Sequence, residues 1–273
     1  TMGKHKKDKS KQKILARKAL QAQRGLIAAA NASKDLLPEE TMPFTVGQES
    51  LSLSVLPDRE DLTLEVQDRL FELVQENMEQ VYRSTWGWKP QEKKKELFHS
   101  TARLLAAKNA QGQIVGFVHF RFEFDDEDDP KEPVLYVYEL QLHSSVQRRG
   151  LGTFLMHQVH NIGYRVGLRK AMLTVLKKNE GALRFYVDKL QYIVDETSPS
   201  RYGEDRHYEI LSTPLQDIVA EQPPAGVPPK AGSLVVDDRH DGGPAEADRA
   251  GAEVPKPAAK SPAAAVEAAP EGA

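Results

Sequence analysis

The chain has 273 residues, 40% of them hydrophobic and 28% charged, and no cysteine. This excludes a disulfide scaffold, a cysteine nucleophile and any zinc or iron-sulfur site built on thiolates, and it leaves apolar material for one core of ordinary size. The formal charge of −3 hides a segregation: from Lys4 to Arg24 the one acid is Asp8, whereas residues 125–129 are an unbroken acidic run.

No stretch is long and apolar enough to cross a bilayer, and no apolar segment follows the N-terminal basic residues, so a soluble, intracellular protein with no membrane partner is expected. Met2-Gly3 resembles the start of a myristoylation signal, but Lys7 stands where Ser or Thr is wanted. Residues 1–43 read as a basic arm with a helix around Gln12 to Ala30. The arm is either a nuclear-targeting or nucleic-acid-attracting segment or a solvated helix, and no direct nucleic-acid function is required of it.

Residues 44–212 form the candidate domain. Ser50 to Val55 alternates strictly and predicts a strand. From Asp58 or Asp61 to Arg83, Leu70, Leu73, Val74, Met78, Val81 and Tyr82 follow helical spacing, and Trp86-Gly87-Trp88 with Pro90 ends that helix. Arg103 to Ala107 and Ile114 to Phe124 predict a hairpin turning at Ala110-Gln111-Gly112. Val134 to Leu142 is the next strand. A helix from Gly150 to Arg165, a strand from Ala171 to Leu176, a helix from Asn179 to Leu190 and closing strands near Tyr192 and Tyr208–Leu211 complete the pattern. It is that of an α/β or α+β single domain with a mixed, mostly antiparallel central sheet flanked by helices. Residues 213–273 hold Pro214, Pro223, Pro224, Pro228, Pro229, Pro244, Pro255, Pro257, Pro262 and Pro270 among Ala, Gly and acids, and are expected to be disordered and dispensable.

Two features carry chemistry. Gln147-Arg148-Arg149-Gly150-Leu151-Gly152 lies between a strand and a helix, where glycines let backbone amides approach an anion and the helix dipole adds to the attraction. By itself it is equally a plain glycine turn, because Leu155 replaces the third glycine of a dinucleotide fingerprint and no Gly-Lys-Ser/Thr comes after it. Glu139 is a carboxylate in an otherwise largely apolar strand, costly there unless paired or used. It is either a proton acceptor or half of a structural ion pair. Regular alternation puts Tyr138 and Glu139 on opposite faces, so both can serve one site only if the strand splays or bulges between them. The eight histidines are scattered; His119 reads as a core residue, and no metal site is expected.

The loop at Gln147–Gly152 and the later strand-helix unit at Asn179 resemble the acetyl-CoA site of the GNAT acetyltransferase superfamily. Asn77-Met78-x-x-x-Tyr82, Trp86-Gly87-Trp88-Lys89, His119-Phe120-Arg121-Phe122, Val134-Leu135-Tyr136-x-Tyr138-Glu139-x-Gln141-Leu142, Met172-Leu173-Thr174-Val175, Asn179-x-Gly181-Ala182 and Ser198-Pro199-Ser200 together resemble one of its branches. That branch is the N-alpha-acetyltransferase D (NatD) family, which acetylates the N-terminal serine of histones four and two-A.

The resemblance implies a single GNAT-type domain and direct acetyl transfer from acetyl-CoA to a free N-terminal serine amine of a histone tail, with no metal. The implied catalytic residues are Glu139 and Tyr138. Leu140, Gln141, Leu142, Gln147, Arg148, Arg149, Gly150, Leu151, Gly152, Thr174 and Asn179 would line the acetyl-CoA site. Tyr82, Trp86, Glu123, Tyr136, Tyr138, Thr197 and Tyr208 would meet the peptide. Glu123 and Thr197 depart from the family's aspartate and serine, and Arg201 to His207 is shorter than in animal members, which weakens the far wall of the peptide site. Trp88 remains a core aromatic by its spacing. The alternatives are a GNAT enzyme with another amine acceptor, or a silent module that binds acyl-CoA or histone tails. The expected protein is a monomer of nucleus and cytoplasm.

Overall fold

The computed structural model describes residues 2–37, 43–56, 62–126, 128–216 and 264–265, with side chains described from residue 11 through 216 within those spans. The possible helix start at Asp58 or Asp61, and nearly all of the Pro/Ala-rich segment, lie outside the described residues. In chain order the elements are α1 (Met2–Ala32), β1 (Phe44–Val46), β2 (Glu49–Leu56), α2 (Leu64–Arg83), α3 (Pro90–Leu97), β3 (Arg103–Lys108), β4 (Ile114–Phe124), β5 (Pro133–Leu142), α4 (Leu151–Arg165), β6 (Lys170–Leu176), α5 (Glu180–Arg184), β7 (Ile193–Val194), β8 (Tyr208–Pro214) and β9 (Ala264–Ala265).

The sheet runs β1-β2-β3-β4-β5-β6-β8-β7, with β9 set against β5. Its main-path pairs are antiparallel except β5 with β6, which are parallel and joined through α4. Helices cover both faces. Val159 and Ile162 of α4, with Ala30 of α1, pack on the face that presents Leu135, Val137, Leu140 and Leu142. Leu70, Leu73, Val74 and Met78 of α2, with Leu97 of α3, pack on the face that presents Val134, Tyr136 and Tyr138. The two apolar faces of one central sheet are thus each buried under helices, which is why β4 and β5 read as nearly continuous apolar runs.

Several boundaries differ from expectation for local reasons. α3 is an extra helix: Pro90 sits in its first turn, where the missing amide hydrogen costs nothing. The helix expected from Asn179 to Leu190 is α5 followed by a π-helical turn at Phe185–Lys189. α1 spans far more than Gln12–Ala30 and is anchored at its end, where Asn31 Nδ2 donates to the Phe122 carbonyl at 3.1 Å and Arg103 donates to the Asn31 carbonyl. β8 continues past Ser212 to Pro214, and Leu215 beyond it is buried.

Candidate active site

The bulge that the chemistry asks for is present. β4 and β5 pair His119 with Glu139 but Phe120 with Val137, so Tyr138 is the extra residue and the register shifts there. The shift also resets the alternation: Val137 and Leu140, three positions apart, share the α4 face. Tyr138 and Glu139 both turn toward α2 and α3, and Gln141 follows. Leu140 and Leu142 consequently leave the face that strict alternation would assign them.

Glu139 is fully buried, at 0% exposure. Lys93 Nζ donates to its Oε1 at 2.8 Å, Gln141 Nε2 donates to its Oε2 at 2.8 Å, and the Tyr82 hydroxyl lies 3.5 Å from Oε1. Asn77 Nδ2 in turn donates to Gln141 Oε1 at 2.9 Å and to the Leu142 carbonyl at 3.1 Å, which fixes the Gln141 amide with its NH2 toward Glu139. Lys93, 7% exposed, also pairs with Glu96 at 2.5 Å and lies 4.9 Å from the centre of the Tyr82 ring. Burial raises the Glu139 pKa, Lys93 draws it back and Glu96 pushes it up again. Burial opposes the charge on Lys93 as well, but Glu139, Tyr82 and Glu96 hold its ammonium well above the ordinary lysine range.

Tyr138 is held from the β4 side. Its hydroxyl donates to both Glu123 oxygens at 3.0 and 3.2 Å, its ring stacks on His119 at 4.9 Å, and the Arg121 guanidinium lies 4.2 Å from the ring centre. Burial and the Glu123 charge push its pKa far above the ordinary tyrosine value, so it is a neutral hydrogen-bond donor. His119 is a buried core histidine, kept neutral by burial and by the neighbouring Arg121. Tyr136 shares a 2.5 Å hydrogen bond with Thr174 across β5 and β6, so Thr174 is buried beneath the site.

A cleft of about 180 Å³ is lined by Tyr82, Trp86, Gly87, Trp88, Lys89, Glu92 and Lys93, of which Tyr82 and Lys93 reach Glu139. Trp86 packs edge-on against Tyr208 at 5.5 Å, and Trp88 stacks between Phe71 and Tyr82, in keeping with a core role. Thr197 stands apart: its amide and hydroxyl both donate to Asp195, whose carboxylate is paired with Lys170. A larger cleft of about 920 Å³ between the start of α2 and the β3–β4 turn contains none of the expected site residues.

On the other side of β5 the parallel pairing with β6 covers only Leu135–Val137. At Glu139 and Leu140 the β5 edge is instead taken by the two residues of β9, in parallel register. An extended amide-bearing chain is therefore a sterically and chemically acceptable partner for that edge. Next to it, Arg148 and Gly150 adopt left-handed φ of 56° and 86°, and Gly150 caps the N-terminus of α4. This turn bares the first amides of a 15-residue helix. Arg148 and Arg149 are exposed beside it, whereas Gln147 donates to the Leu142 carbonyl at 2.9 Å. Asn179 caps α5 by accepting from the Ala182 amide at 3.1 Å.

Lys93, Glu96 and Tyr186 are members of this region that sequence reasoning did not single out. Tyr186 is fully buried, its hydroxyl has no hydrogen-bond partner among the described residues, and the charge of Glu139 reaches it. Lys93 and Leu97 lie four apart, one buried face of a short helix, which was the available signal for Lys93.

Among the described residues, no group of three His, Asp or Glu side chains is placed to hold a metal ion. Residues 68–192 match the model of the acetyltransferase (GNAT) family. Among solved structures, the chain is similar to PaiA N-acetyltransferase from Thermoplasma acidophilum in complex with coenzyme A, with 15% identity, a TM-score of 0.43, and coverage of 60% of this chain and 99% of that one. It is also similar to the ribosomal-protein-S18-alanine N-acetyltransferase from Escherichia coli, at 14% identity, a TM-score of 0.43 and coverage of 63% and 97%. Ard1 from Thermoplasma volcanium is similar at 13% identity, a TM-score of 0.43 and coverage of 61% and 98%. The matched residues 68–192 carry the β4–β5 bulge, Lys93 and the turn at Gly150, within a mixed sheet of the GNAT fold flanked by helices.

Proposed function

We propose that the protein transfers acetyl from acetyl-CoA directly to the free N-terminal amine of a protein, with serine-initiated histone tails as substrates. The observation that carries this reading is the bulge at Tyr138. It brings a tyrosine and a buried carboxylate to one side of β5, and the carboxylate is joined through Tyr82 and Lys93 to the cleft that Tyr82 and Trp86 line.

The residues present fit acetyl-CoA. The β5 edge at Glu139 and Leu140 accepts an extended partner, the amides at Gly150–Gly152 suit a pyrophosphate, and Tyr186 offers a buried hydroxyl with no partner among the described residues. Bound there, acetyl-CoA supplies an acetyl group already activated as a thioester, so no covalent enzyme intermediate is needed. The amine attacks as its C–N bond forms and the C–S bond breaks. An α-amine titrates near 8 and a lysine amine near 10.4, so the N-terminal amine asks less of its base. Glu139 accepts the proton, directly or through water. Tyr138, its hydroxyl proton held by Glu123, stays a neutral ring beside the reacting groups, and Tyr186 holds a proton for the leaving sulfur. The acidic residues around Glu123 favour the basic side chains of a histone tail, and the basic α1 fits a protein that works in the nucleus as well as the cytoplasm.

The test is mass spectrometry of peptides incubated with the protein and acetyl-CoA. A Ser-Gly-Arg-Gly peptide with a free N-terminus is expected to gain one acetyl group at that terminus. Equal modification of a terminally blocked peptide on an internal lysine would overturn the N-terminal reading.

A further inference from the structure

Several polar or titratable groups face Glu139. Lys93 and Glu96 come from α3, Tyr82 from α2, Gln141 and Tyr138 from β5, His119 with Arg121 behind it from β4, and Tyr186 from the turn after α5. Among the described residues Lys93 is the one cation bonded to the carboxylate. Its position is over-determined: two carboxylates and an aromatic face surround one ammonium, and Arg121 ties α3 to β4 by donating to the Glu96 carbonyl at 2.5 Å. The two Glu139 oxygens are divided between Lys93 and Gln141. A buried carboxylate without such a cation would take up a proton and cease to be a base.

We propose that Lys93 is a positioning residue of the transfer reaction, which together with Gln141 holds the Glu139 carboxylate ionised and in one orientation toward the incoming amine. The inference rests on the reading of Glu139 as the proton acceptor. Lys93 keeps all its protons throughout: the proton lost by the amine goes to Glu139, and the ammonium stabilises the ionised carboxylate before and after each turnover. The short, lysine-rich α3 therefore belongs to the catalytic apparatus.

The experiment is the pH profile of kcat/KM for a free-N-terminus serine peptide with wild type, Lys93→Met, Lys93→Arg, Glu96→Gln and Glu139→Gln in the full chain. Lys93→Met is expected to move the acid limb upward by about one pH unit or more, with roughly tenfold lower turnover at neutral pH that recovers as the pH rises. Peptide KM should change less than about threefold, and Lys93→Arg should restore much of the profile. Glu96→Gln removes a repelling charge and should move the limb downward. A wild-type limb and turnover in Lys93→Met would overturn the proposal. If Lys93→Met does not fold, an unmoved limb in Glu96→Gln overturns it instead. Unimpaired Glu139→Gln would sink the proton-acceptor reading itself; a slow Glu139→Gln beside a normal Lys93→Met would sink only the role of Lys93.

Discussion

Tyr138 and Glu139 are neighbours in the chain yet are gripped from opposite flanks, Tyr138 by Glu123 and Glu139 by Lys93. Each grip sets a protonation state. Tyr138 stays a donor because burial and the Glu123 charge both oppose its ionisation. Glu139 has a raised pKa, so its basic form, and with it activity, is gained as the pH rises through that value and lost below it. Replacement by glutamine removes the proton acceptor while keeping the shape. Turnover of Glu139→Gln is expected to fall by about 10²–10⁴-fold, with acetyl-CoA affinity, read by calorimetry, changing less than about threefold. Unchanged turnover across the pH range would remove the base assignment. Trp86→Ala should act differently, because Trp86 packs against Tyr208 at the cleft rim. Its expected effect is a raised peptide KM with little change in kcat, measured by steady-state kinetics.

The strands were legible from their alternation, and the consequence of one extra residue was not. Ser50–Val55, Arg103–Ala107 and Ile114–Phe124 fall on β2, β3 and β4 because apolar spacing and turn residues agree there. Both faces of β5 are apolar, so its sequence fits either phase and cannot show where the phase changes; only pairing with β4 reveals it. α3 was illegible for another reason. It is short and carries Lys93-Lys94-Lys95, a pattern that ordinarily marks a solvated surface, and the fully buried partner of its one buried lysine, Glu139, is remote in sequence. The same strand pair offers a test. Gly116 of β4 lies opposite Leu142, and a Cβ there would stand 2.6 Å from Leu142 Cδ2 and 3.2 Å from the Gln141 carbonyl oxygen. The leucine tip can yield, but the backbone oxygen moves only with β5. Gly116→Ala is expected to destabilise the fold by about 1–3 kcal/mol in urea titration and to slow turnover by disturbing Gln141, the residue that orients Glu139. Wild-type stability and rate together would show that β5 is less rigid there than its contacts imply.

At the scale of the molecule, the sheet and its two helical layers are completed by segments that composition alone would assign to flexible ends. Ala30 and Leu36, beyond the basic stretch, join the same core as α4 and β5. At the other end Pro214 pairs with Lys170, the Leu215 amide donates to the Arg169 carbonyl at 2.8 Å, and the Leu215 side chain is 4% exposed. Two truncations separate the roles of this closing segment and of the residues beyond it. A chain ending at Thr213 loses a buried leucine and the end of β8, at a cost of about 2–4 kcal/mol, and should melt earlier than the full chain. A chain ending at Gln216 keeps every one of those contacts and should melt like the full chain. It also lacks Ala264–Ala265, which occupy the β5 edge at Glu139 and Leu140 where the pantetheine arm of acetyl-CoA is proposed to pair. Its KM for acetyl-CoA should therefore be equal to or lower than that of the full chain. A higher KM in the Gln216 truncation would mean that the segment after Gln216 assists cofactor binding and does not compete with it.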